Sequence, residues 1–376
     1  MSTFRIELDR HLPLSKQPNK GHNRWHPGIP PIQVVKSGDV VVMDTLDAFD
    51  CQIGPDTQAS ELRQVDLGRV HPLTGPIYVE GAEPGDILAV DVLNVEASSF
   101  AYTVNIPGFG FLRDSFREPF IVRWHIEDNV ATSPDLPKVH IHGNPFMGVM
   151  GTSPSSDLLK VINEREEKLK SQGGAVEVPS EHGAVPTGHL SSEAIRTIAP
   201  HETGGNVDIK QLTKGTTVYL PVYVSGALFS AGDAHFAQGD NECCGTAIEM
   251  AATLTVRLRV LKGEASRTGQ RDISFSRDIL NQMGPNDHCL SSLHGPFYAT
   301  TGICVDRETG VNYSENLTSS TKNALWNMIN YIHQKYGYSN LQAYCLCSVA
   351  VDFHVSQLPD IPNVLVSAIL PLDIFE

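Results

Sequence analysis

The sequence predicts a β-rich α+β protein with a sandwich-like or jelly-roll-like β body and a few peripheral helices. Residues 39–44 form a β-branched run that is typical of a strand. Residues 247–261 alternate apolar and polar side chains, which is the pattern of a long strand with one buried face. Helical periodicity is confined to a few segments, so strands dominate the predicted body.

The helical signal lies in one early segment and in the last quarter of the chain. Residues 155–171 combine apolar positions with Glu and Lys and are followed by two glycines, which predicts a surface helix. Residues 320–336 place apolar side chains at helical spacing, and Gly337 follows as a stop. A further helix is predicted from Ser339 to about Val349.

The chain divides into an arm and a body. Residues 1–39 are predicted as an N-terminal arm that packs on the body or on a neighbouring subunit, because their first 30 residues are rich in Pro, His and Asn. Residues 40–376 are predicted as one catalytic domain, either undivided or built from two β subdomains at about 40–154 and 200–376. The segments 76–86 and 221–233 resemble each other, which indicates either two related β units or a short Gly-Ala-Gly-Asp turn that recurs by chance.

Composition excludes several classes of protein. Hydrophobic residues make up 41% and charged residues 19% of the 376 positions, as in ordinary globular proteins. The net charge of -15 argues against nucleic acid and anionic membranes as partners, since both need basic surface. Because the N-terminus lacks a signal-peptide core and the seven Cys include no C-x-x-C pair, we expect a cytoplasmic protein with reduced thiols.

Ligand-type side chains are concentrated in residues 204–208 and 232–242, between glycines. In an extended segment Asp233 and His235 project to the same side, since residues two apart share a face. Mixed oxygen and nitrogen ligands suit Zn²⁺ or a similar divalent metal with an open position for water. The alternative is a Gly-rich turn in which Asp side chains cap backbone N–H groups.

Other polar residues extend this cluster or offer a different chemistry. Asp44, Asp47 and Asp50 follow the first predicted strand, either as turn formers or as further metal ligands. Glu249 interrupts an apolar run and is either solvated or a buried catalytic carboxylate. Cys244, close to Glu242, offers a thiolate nucleophile as a second mechanism, with a buried inert thiol as its alternative.

With these residues in view, the chain resembles the acetamidase/formamidase family. The matching segments are Thr45–Asp47, His71–Asp86, Asn144–Pro154, Gly204–Asp208, Gly226–Glu242, Gly245–Glu249 and Asp352–Gln357. The resemblance implies hydrolysis of short aliphatic amides to carboxylate and ammonia, a bound divalent cation and a homo-oligomer. The chain departs from the family's pattern at 241–244, which leaves γ-lactams, the cyclic amides, as an alternative substrate class.

The resemblance also implies roles for individual residues. Asp47, Asp233 and His235 are expected to bind the metal, with Zn²⁺ preferred and Ca²⁺ as the alternative. Asp208, Glu242 and Glu249 are expected to be catalytic, and we expect His71, Asn206 and Gln238 to contact the substrate. The rival from another class is a β-sandwich binding module with a structural Ca²⁺ and no catalysis.

Overall fold

The computed structural model describes residues 1–277, 296–359 and 362–376. The strands of these residues are β1 Thr3–Ile6, β2 Gly21–His22, β3 Arg24–Trp25, β4 Gln33–Lys36, β5 Val40–Thr45, β6 Leu73–Glu80, β7 Ile87–Ala97, β8 Phe100–Asn105, β9 Phe120–Glu127, β10 Val130–Thr132, β11 His140–His142, β12 Phe146–Gly151, β13 Ile195–Arg196, β14 Gly204–Asn206, β15 Thr217–Pro221, β16 Phe229–His235, β17 Glu249–Met250, β18 Ala252–Leu261, β19 Ser274–Ser276, β20 Phe297–Ile303, β21 Asp352–Gln357 and β22 Leu365–Pro371. The helices are α1 Ser156–Ser171, α2 Glu264–Thr268, α3 Leu317–Tyr336 and α4 Asn340–Ala350.

Two large sheets form the body. The first has six strands in the order β1-β5-β18-β7-β15-β19. The second has eleven strands, with the path β11-β10-β9-β8-β17-β16-β12-β14, and β6 joins it at β16 together with β2 and β4. A three-stranded sheet, β20-β22-β21, lies near the C-terminus. This confirms the predicted β-rich α+β class.

The main core lies between the sheets and the C-terminal helices. One cluster of buried apolar side chains includes Met43 and Leu254 of the six-stranded sheet, Phe229 of the eleven-stranded sheet, and Ile329 and Leu346 of α3 and α4. Apolar side chains from both large sheets are therefore buried in one cluster. This is the packing expected of a sandwich. The predicted surface helix is α1, whereas α4 is buried along most of its length.

The long predicted strand at 247–261 crosses from one sheet to the other. Its first part, β17, pairs with β16 in the eleven-stranded sheet, and its second part, β18, pairs with β5 and β7 in the six-stranded sheet. Apolar and polar residues alternate between buried and half-buried along β18, as its sequence predicts. The change of sheet at Ala251 places Glu249 on the eleven-stranded sheet, beside His235.

Residues 1–39, predicted as an arm, take part in both large sheets. β1 pairs with β5 in parallel, and β2 and β4 pair with β6. The strands of residues 1–39 are only two to four residues long, which is too short for a clear strand pattern in the sequence. Within the described residues, no helix is long and apolar enough to cross a membrane.

Candidate active site

Three adjacent strands of the eleven-stranded sheet carry the centre of the site. His235 at the end of β16 lies opposite Glu249 of β17 on one side and opposite Phe146 of β12 on the other. Side chains that face each other across antiparallel strands lie on the same side of the sheet. The Phe146 ring packs edge-on against the His235 ring, with 5.1 Å between ring centroids. The sheet therefore sets the position of the imidazole on two sides.

Carboxylates surround the Nε2 atom of His235. This atom lies 3.3 Å from Asp233 Oδ1, 3.3 Å from Glu249 Oε2 and 3.9 Å from Glu242 Oε1. Asp233, His235 and Glu249 are almost completely buried, whereas 14% of the Glu242 side chain is exposed. Glu242 therefore lies on the more accessible side of the site.

Gln238 determines the orientation of the His235 ring. Its Oε1 atom lies 2.9 Å from His235 Nδ1, and its Nε2 atom donates to the carbonyl oxygen of Asp208 at 2.8 Å. An amide oxygen accepts, so Nδ1 carries the proton that it donates to Gln238. In a neutral ring the lone pair then lies on Nε2, which faces the carboxylates, as in histidines that bind metals. The polar atoms of Gln238, predicted to contact substrate, are engaged in this internal network.

Several buried ligand atoms in this group have no hydrogen-bond partner. They are Asp208 Oδ1, Asp233 Oδ1, His235 Nε2 and Glu249 Oε2. Buried polar atoms are nearly always paired in native proteins, so this convergence calls for an explanation. One potential ligand atom each from Asp208, Asp233 and His235 lies within 4.8 Å of the others, and the same holds for His235, Glu242 and Glu249. These residues could hold a divalent metal ion.

Gly148 of β12 makes room for this group. A Cβ atom there would lie 2.6 Å from Asp208 Oδ1, 2.7 Å from Asp233 Oδ2 and 2.8 Å from His235 Cε1. Any side chain at this position would displace the three groups, so the close approach requires glycine. Gly148 lies within Asn144–Pro154, one of the segments that resemble the family, but the sequence did not identify it as part of the site.

The backbone at the acidic residues is unusual. Asp208, Asp233 and Glu242 have positive φ angles of 46°, 55° and 47°. The left-handed conformation is unfavourable for residues other than glycine, and such strain concentrates at functional sites. The surrounding contacts hold these three carboxylates in place at the expense of local backbone energy.

Electrostatic effects differ from one carboxyl group to the next. Burial and the nearby Glu242 raise the pKa of Asp208 well above its usual value, and burial also raises the pKa of Glu242. Burial raises the pKa of Glu249 to about 7, although His235 opposes the shift. Burial acts in the same direction on Asp233, but His71 and His235 outweigh it and lower the pKa of that carboxyl group.

The imidazole of His235 is affected in the opposite sense. Burial alone would lower the pKa of His235, but the negative charges of Glu249 and Asp233 raise it well above the usual value. Without a metal, protons therefore balance part of the negative charge in this buried group. A divalent cation would take over that function and release protons on binding.

Asp47 does not join the carboxylates around His235. Its Oδ1 atom accepts from the Phe49 backbone N–H and the Tyr102 hydroxyl at 3.0 and 2.5 Å, and its Oδ2 atom accepts from the Cys51 backbone N–H at 2.9 Å. The carboxylate is thus engaged by its own turn and by Tyr102 of β8. The neighbouring aspartates are also engaged, since Asp44 pairs with Arg10 and Asp50 with Arg69.

His71 and Asn206 lie at the edge of the group. The His71 ring is close enough to lower the pKa of Asp233, and its Nδ1 atom lies 3.1 Å from the carbonyl oxygen of Thr197. Asn206 donates from Nδ2 to the Ile198 carbonyl at 3.0 Å, while its Oδ1 atom is buried without a partner. Their predicted contact with substrate stays a prediction.

Cys244 is completely buried. Its sulfur lies 3.6 Å from the Val104 carbonyl oxygen and 3.5 Å from that of Thr246. Burial would raise the pKa of the thiol, but hydrogen bonds from Cys345, Ser348 and Thr246 lower it to about 7. Two carbonyl acceptors nonetheless favour the protonated thiol, and among the described residues no Cys belongs to the group around His235. The cysteines of the described residues are free thiols, and Cys289 lies outside them.

The model of the Acetamidase/Formamidase family matches residues 7–376 of this chain. A formamidase of Methylophilus methylotrophus is 36% identical over 99% of this chain and 93% of its own length. An acetamidase of Mycolicibacterium smegmatis is 34% identical over 91% of this chain and 88% of its own length. These relatives show that the chain is an amide hydrolase. The chain belongs to the acetamidase/formamidase family, as its sequence motifs indicated.

Solved structures agree with this assignment. A γ-lactamase from Delftia acidovorans superimposes with a TM-score of 0.92 at 34% identity, over 100% of this chain and 93% of that chain. An acetamidase from Bacillus halodurans gives a TM-score of 0.54 at 27% identity, over 94% of this chain and 96% of that chain. The arrangement of this chain therefore matches that of the γ-lactamase more closely than that of the acetamidase.

Proposed function

We propose that the protein hydrolyses short aliphatic amides such as formamide or acetamide to a carboxylate and ammonia, at a divalent metal bound around His235. The observation that carries this proposal is the convergence of four buried, unpartnered ligand atoms on Asp208, Asp233, His235 and Glu249. Relatives named as formamidase and acetamidase support the same reaction. A cation held there would lower the pKa of a bound water towards neutrality and polarise the amide carbonyl.

Zn²⁺ is the metal that this ligand set favours. His235 offers an imidazole nitrogen together with carboxylate oxygens, and Zn²⁺ accepts both kinds of ligand. Ca²⁺ is bound by oxygen ligands alone, so the nitrogen would be a poor choice for it. Asp47 is left out of the proposed ligand set because its oxygens are already hydrogen-bonded.

Two glutamates are suited to move protons during the reaction. Glu249 Oε2 lies 3.3 Å from His235 Nε2, so its carboxylate could accept a proton from a water bound in this group. Glu242 lies on the more accessible side and can deliver a proton to the departing amine. Burial of the group keeps bulk water away from these transfers and strengthens the electrostatic interactions.

A γ-lactam is the second candidate substrate, and the TM-score of 0.92 to the Delftia acidovorans γ-lactamase favours it. The chemistry is the same, but the products distinguish the two. A linear primary amide releases ammonia, whereas an opened γ-lactam keeps its nitrogen as the amine of a γ-amino acid. Formamide, acetamide and 2-pyrrolidinone should therefore be tested with both an ammonia assay and an amino acid assay, before and after removal of metal with a chelator. Turnover that survives complete metal removal would refute the metal mechanism.

We also propose a cytoplasmic homo-oligomer. Free thiols at Cys51, Cys243, Cys244, Cys304, Cys345 and Cys347 support a reducing compartment. Exposed apolar side chains on the C-terminal sheet and just after β21, at Phe297, Tyr298, Ile303, Val355 and Leu358, support an interface between subunits. Light scattering of the purified protein measures the subunit number, and a monomer would contradict this part of the proposal.

A further inference from the structure

Two loops of the site depend on contacts outside it. Asp208 follows β14, and Glu242 lies between β16 and β17. Asp208, Asn241 and Glu242 all have positive φ angles, of 46°, 102° and 47°. Such conformations are unfavourable for residues other than glycine and persist only where the surroundings impose them. The question is which contacts hold these two loops at the distance that the site needs.

A single buried carboxylate joins both loops. Asp352, the first residue of β21, accepts from the backbone N–H of Asp240 at 3.0 Å and from the ammonium group of Lys210, both at Oδ1. Asp240 lies two residues before Glu242, and Lys210 lies two residues after Asp208. Only 6% of the Asp352 side chain is exposed. One oxygen atom therefore fixes a point on each loop.

The loop that carries Glu242 also contacts the end of α4. The Gly239 backbone N–H donates to the carbonyl oxygen of Ser348 at 2.9 Å, and a Cβ at Gly239 would lie 2.3 Å from the Val351 carbonyl oxygen. The C-terminal α4–β21 segment thus forms the floor beneath the Glu242 loop. Within this floor Asp352 is the side chain that also reaches the Asp208 loop.

The cluster around Asp352 already contains its own cation. Asp240, Asp352 and His354 lie close enough together to be considered as metal ligands, but the Lys210 ammonium binds Asp352 and lies 3.9 Å from Asp240 Oδ2. By contrast, no Lys or Arg forms an ion pair with the carboxylates around His235 in the described part of the chain. The two acidic clusters therefore differ in kind, because one contains a lysine that offsets part of its negative charge and the other does not.

We propose that Asp352 is a positioning residue, which sets the separation of Asp208 and Glu242 through Lys210 and Asp240. This inference rests on the proposed function, because the separation matters for the metal and for proton transfer. Partners that hydrogen-bond a metal ligand directly typically change metal affinity or activity by 10–100-fold when they are removed, and Asp352 acts one contact further out, so we expect an effect near the lower end of this range. Asp352 itself does not touch the reacting atoms.

The test compares Asp352→Asn with a matched control, Asp86→Asn. Asp86 is also buried and accepts from a lysine, Lys262, at 2.6 Å and from the backbone N–H of Gly263 at 2.7 Å. It lies in the turn before β7, on the other large sheet. Both variants lose a buried ion pair, so both should show a lower Tm. Only Asp352→Asn should bind Zn²⁺ about tenfold more weakly, measured by calorimetric titration of the metal-free proteins well below either Tm.

The kcat and KM of the metal-loaded enzymes provide a second measurement. We expect kcat to fall in Asp352→Asn with a smaller change in KM, and both constants to stay near wild type in Asp86→Asn. If Asp352→Asn does not fold, Lys210→Gln removes the same ion pair from the more exposed side and should weaken Zn²⁺ binding in the same direction. Wild-type Zn²⁺ affinity and kcat in the folded variant, or an equal loss in Asp86→Asn, would overturn the proposal. Failure of the wild type to hydrolyse any amide would instead refute the proposed function, while the Zn²⁺ titrations would still decide the role of Asp352.

Discussion

The Nε2 atom of His235 lies 3.3 Å from Glu249 Oε2, on the strand that pairs with its own. This contact couples the two groups, since the carboxylate raises the pKa of the imidazole and the imidazole opposes the rise in pKa of the carboxyl group. Both atoms are buried and have no regular hydrogen-bond partner. In the proposed metal site, this pair is therefore the point at which protons and a metal ion would compete.

The first prediction concerns the pH dependence of the metal-free protein. Glu249 has a folded-state pKa of about 7, above its ordinary value of 4.5, and the pKa of His235 is raised as well. Groups with raised pKa values bind more protons in the folded state, so they stabilise the fold at low pH and lose this contribution as pH rises through the folded pKa. The contribution of these two groups to the free energy of unfolding of metal-free protein should therefore fall between about pH 4.5 and 7 and beyond, while His22, whose pKa burial lowers to about 4, acts in the opposite sense only below its ordinary value of 6.5.

Asp233 does not reverse this trend, because its pKa is lowered and its contribution changes only below its ordinary value. Denaturant titrations of metal-free and metal-loaded protein across this range measure the effect. The loaded protein should show a smaller loss or a gain, because bound metal replaces the protons. A metal-free protein whose stability rises between pH 6.5 and 8, where His22 no longer contributes, would contradict the assigned shifts.

The second prediction is that Gly148→Ala damages the site more than the fold. The new methyl group would lie within 2.8 Å of Asp208, Asp233 and His235. Overpacking of this kind typically costs about 1–3 kcal/mol in stability, and here the displaced groups are the ligands themselves. We expect a loss of metal affinity of at least about tenfold, measured by titration.

Gly54→Ala is the matched control for that variant. Gly54 also has no positive φ angle, and a Cβ there meets nothing within 4 Å. The Gly54→Ala substitution should leave both metal affinity and turnover unchanged. Unaltered metal binding by Gly148→Ala would show that the ligands do not converge as described.

The third prediction separates Asp47 from the metal ligands. Asp47→Asn weakens the hydrogen bonds from Phe49, Cys51 and the Tyr102 hydroxyl, so the variant should lose about 1–3 kcal/mol of stability. The Asp47→Asn variant should still bind the same amount of metal per protein chain as the wild type, measured by elemental analysis after dialysis. A folded Asp47→Asn protein that carries no metal would return Asp47 to the ligand set.

The fourth prediction concerns the thiol mechanism. Cys244→Ala removes a buried sulfur that contacts two carbonyl oxygens, so it should lower the Tm but retain most of the turnover. Thiol reagents should inhibit slowly, because the side chain is completely buried. Complete loss of activity in a folded, metal-loaded Cys244→Ala variant would favour Cys244 as the nucleophile.

The sequence identified candidate site residues correctly where they lie close together along the chain. The spacing of Asp233 and His235 indicates a shared face, and both side chains reach the same group in the fold. Glu249 interrupts an apolar run, and a buried carboxylate was one of the two interpretations of that pattern. Local spacing was sufficient in these cases because neighbouring residues on one strand have a fixed relationship.

Contacts between distant segments could not be predicted from the sequence. Asp47 resembles a ligand by residue type, but its engagement by Tyr102 depends on a partner 55 positions away. The role of Gly148 depends on three side chains from two other segments, and the strands of residues 1–39 depend on partners in the body. Such pairings are set by the whole chain and leave no local pattern.

The most direct test of the central claim is the metal content and turnover of Asp233→Ala beside the wild type, with circular dichroism to verify folding. The account predicts a wild-type protein that contains a divalent metal and hydrolyses an amide, and a folded variant that has lost both. A folded Asp233→Ala protein that is free of metal and retains wild-type turnover would contradict the claim that the carboxylates around His235 form a catalytic metal site.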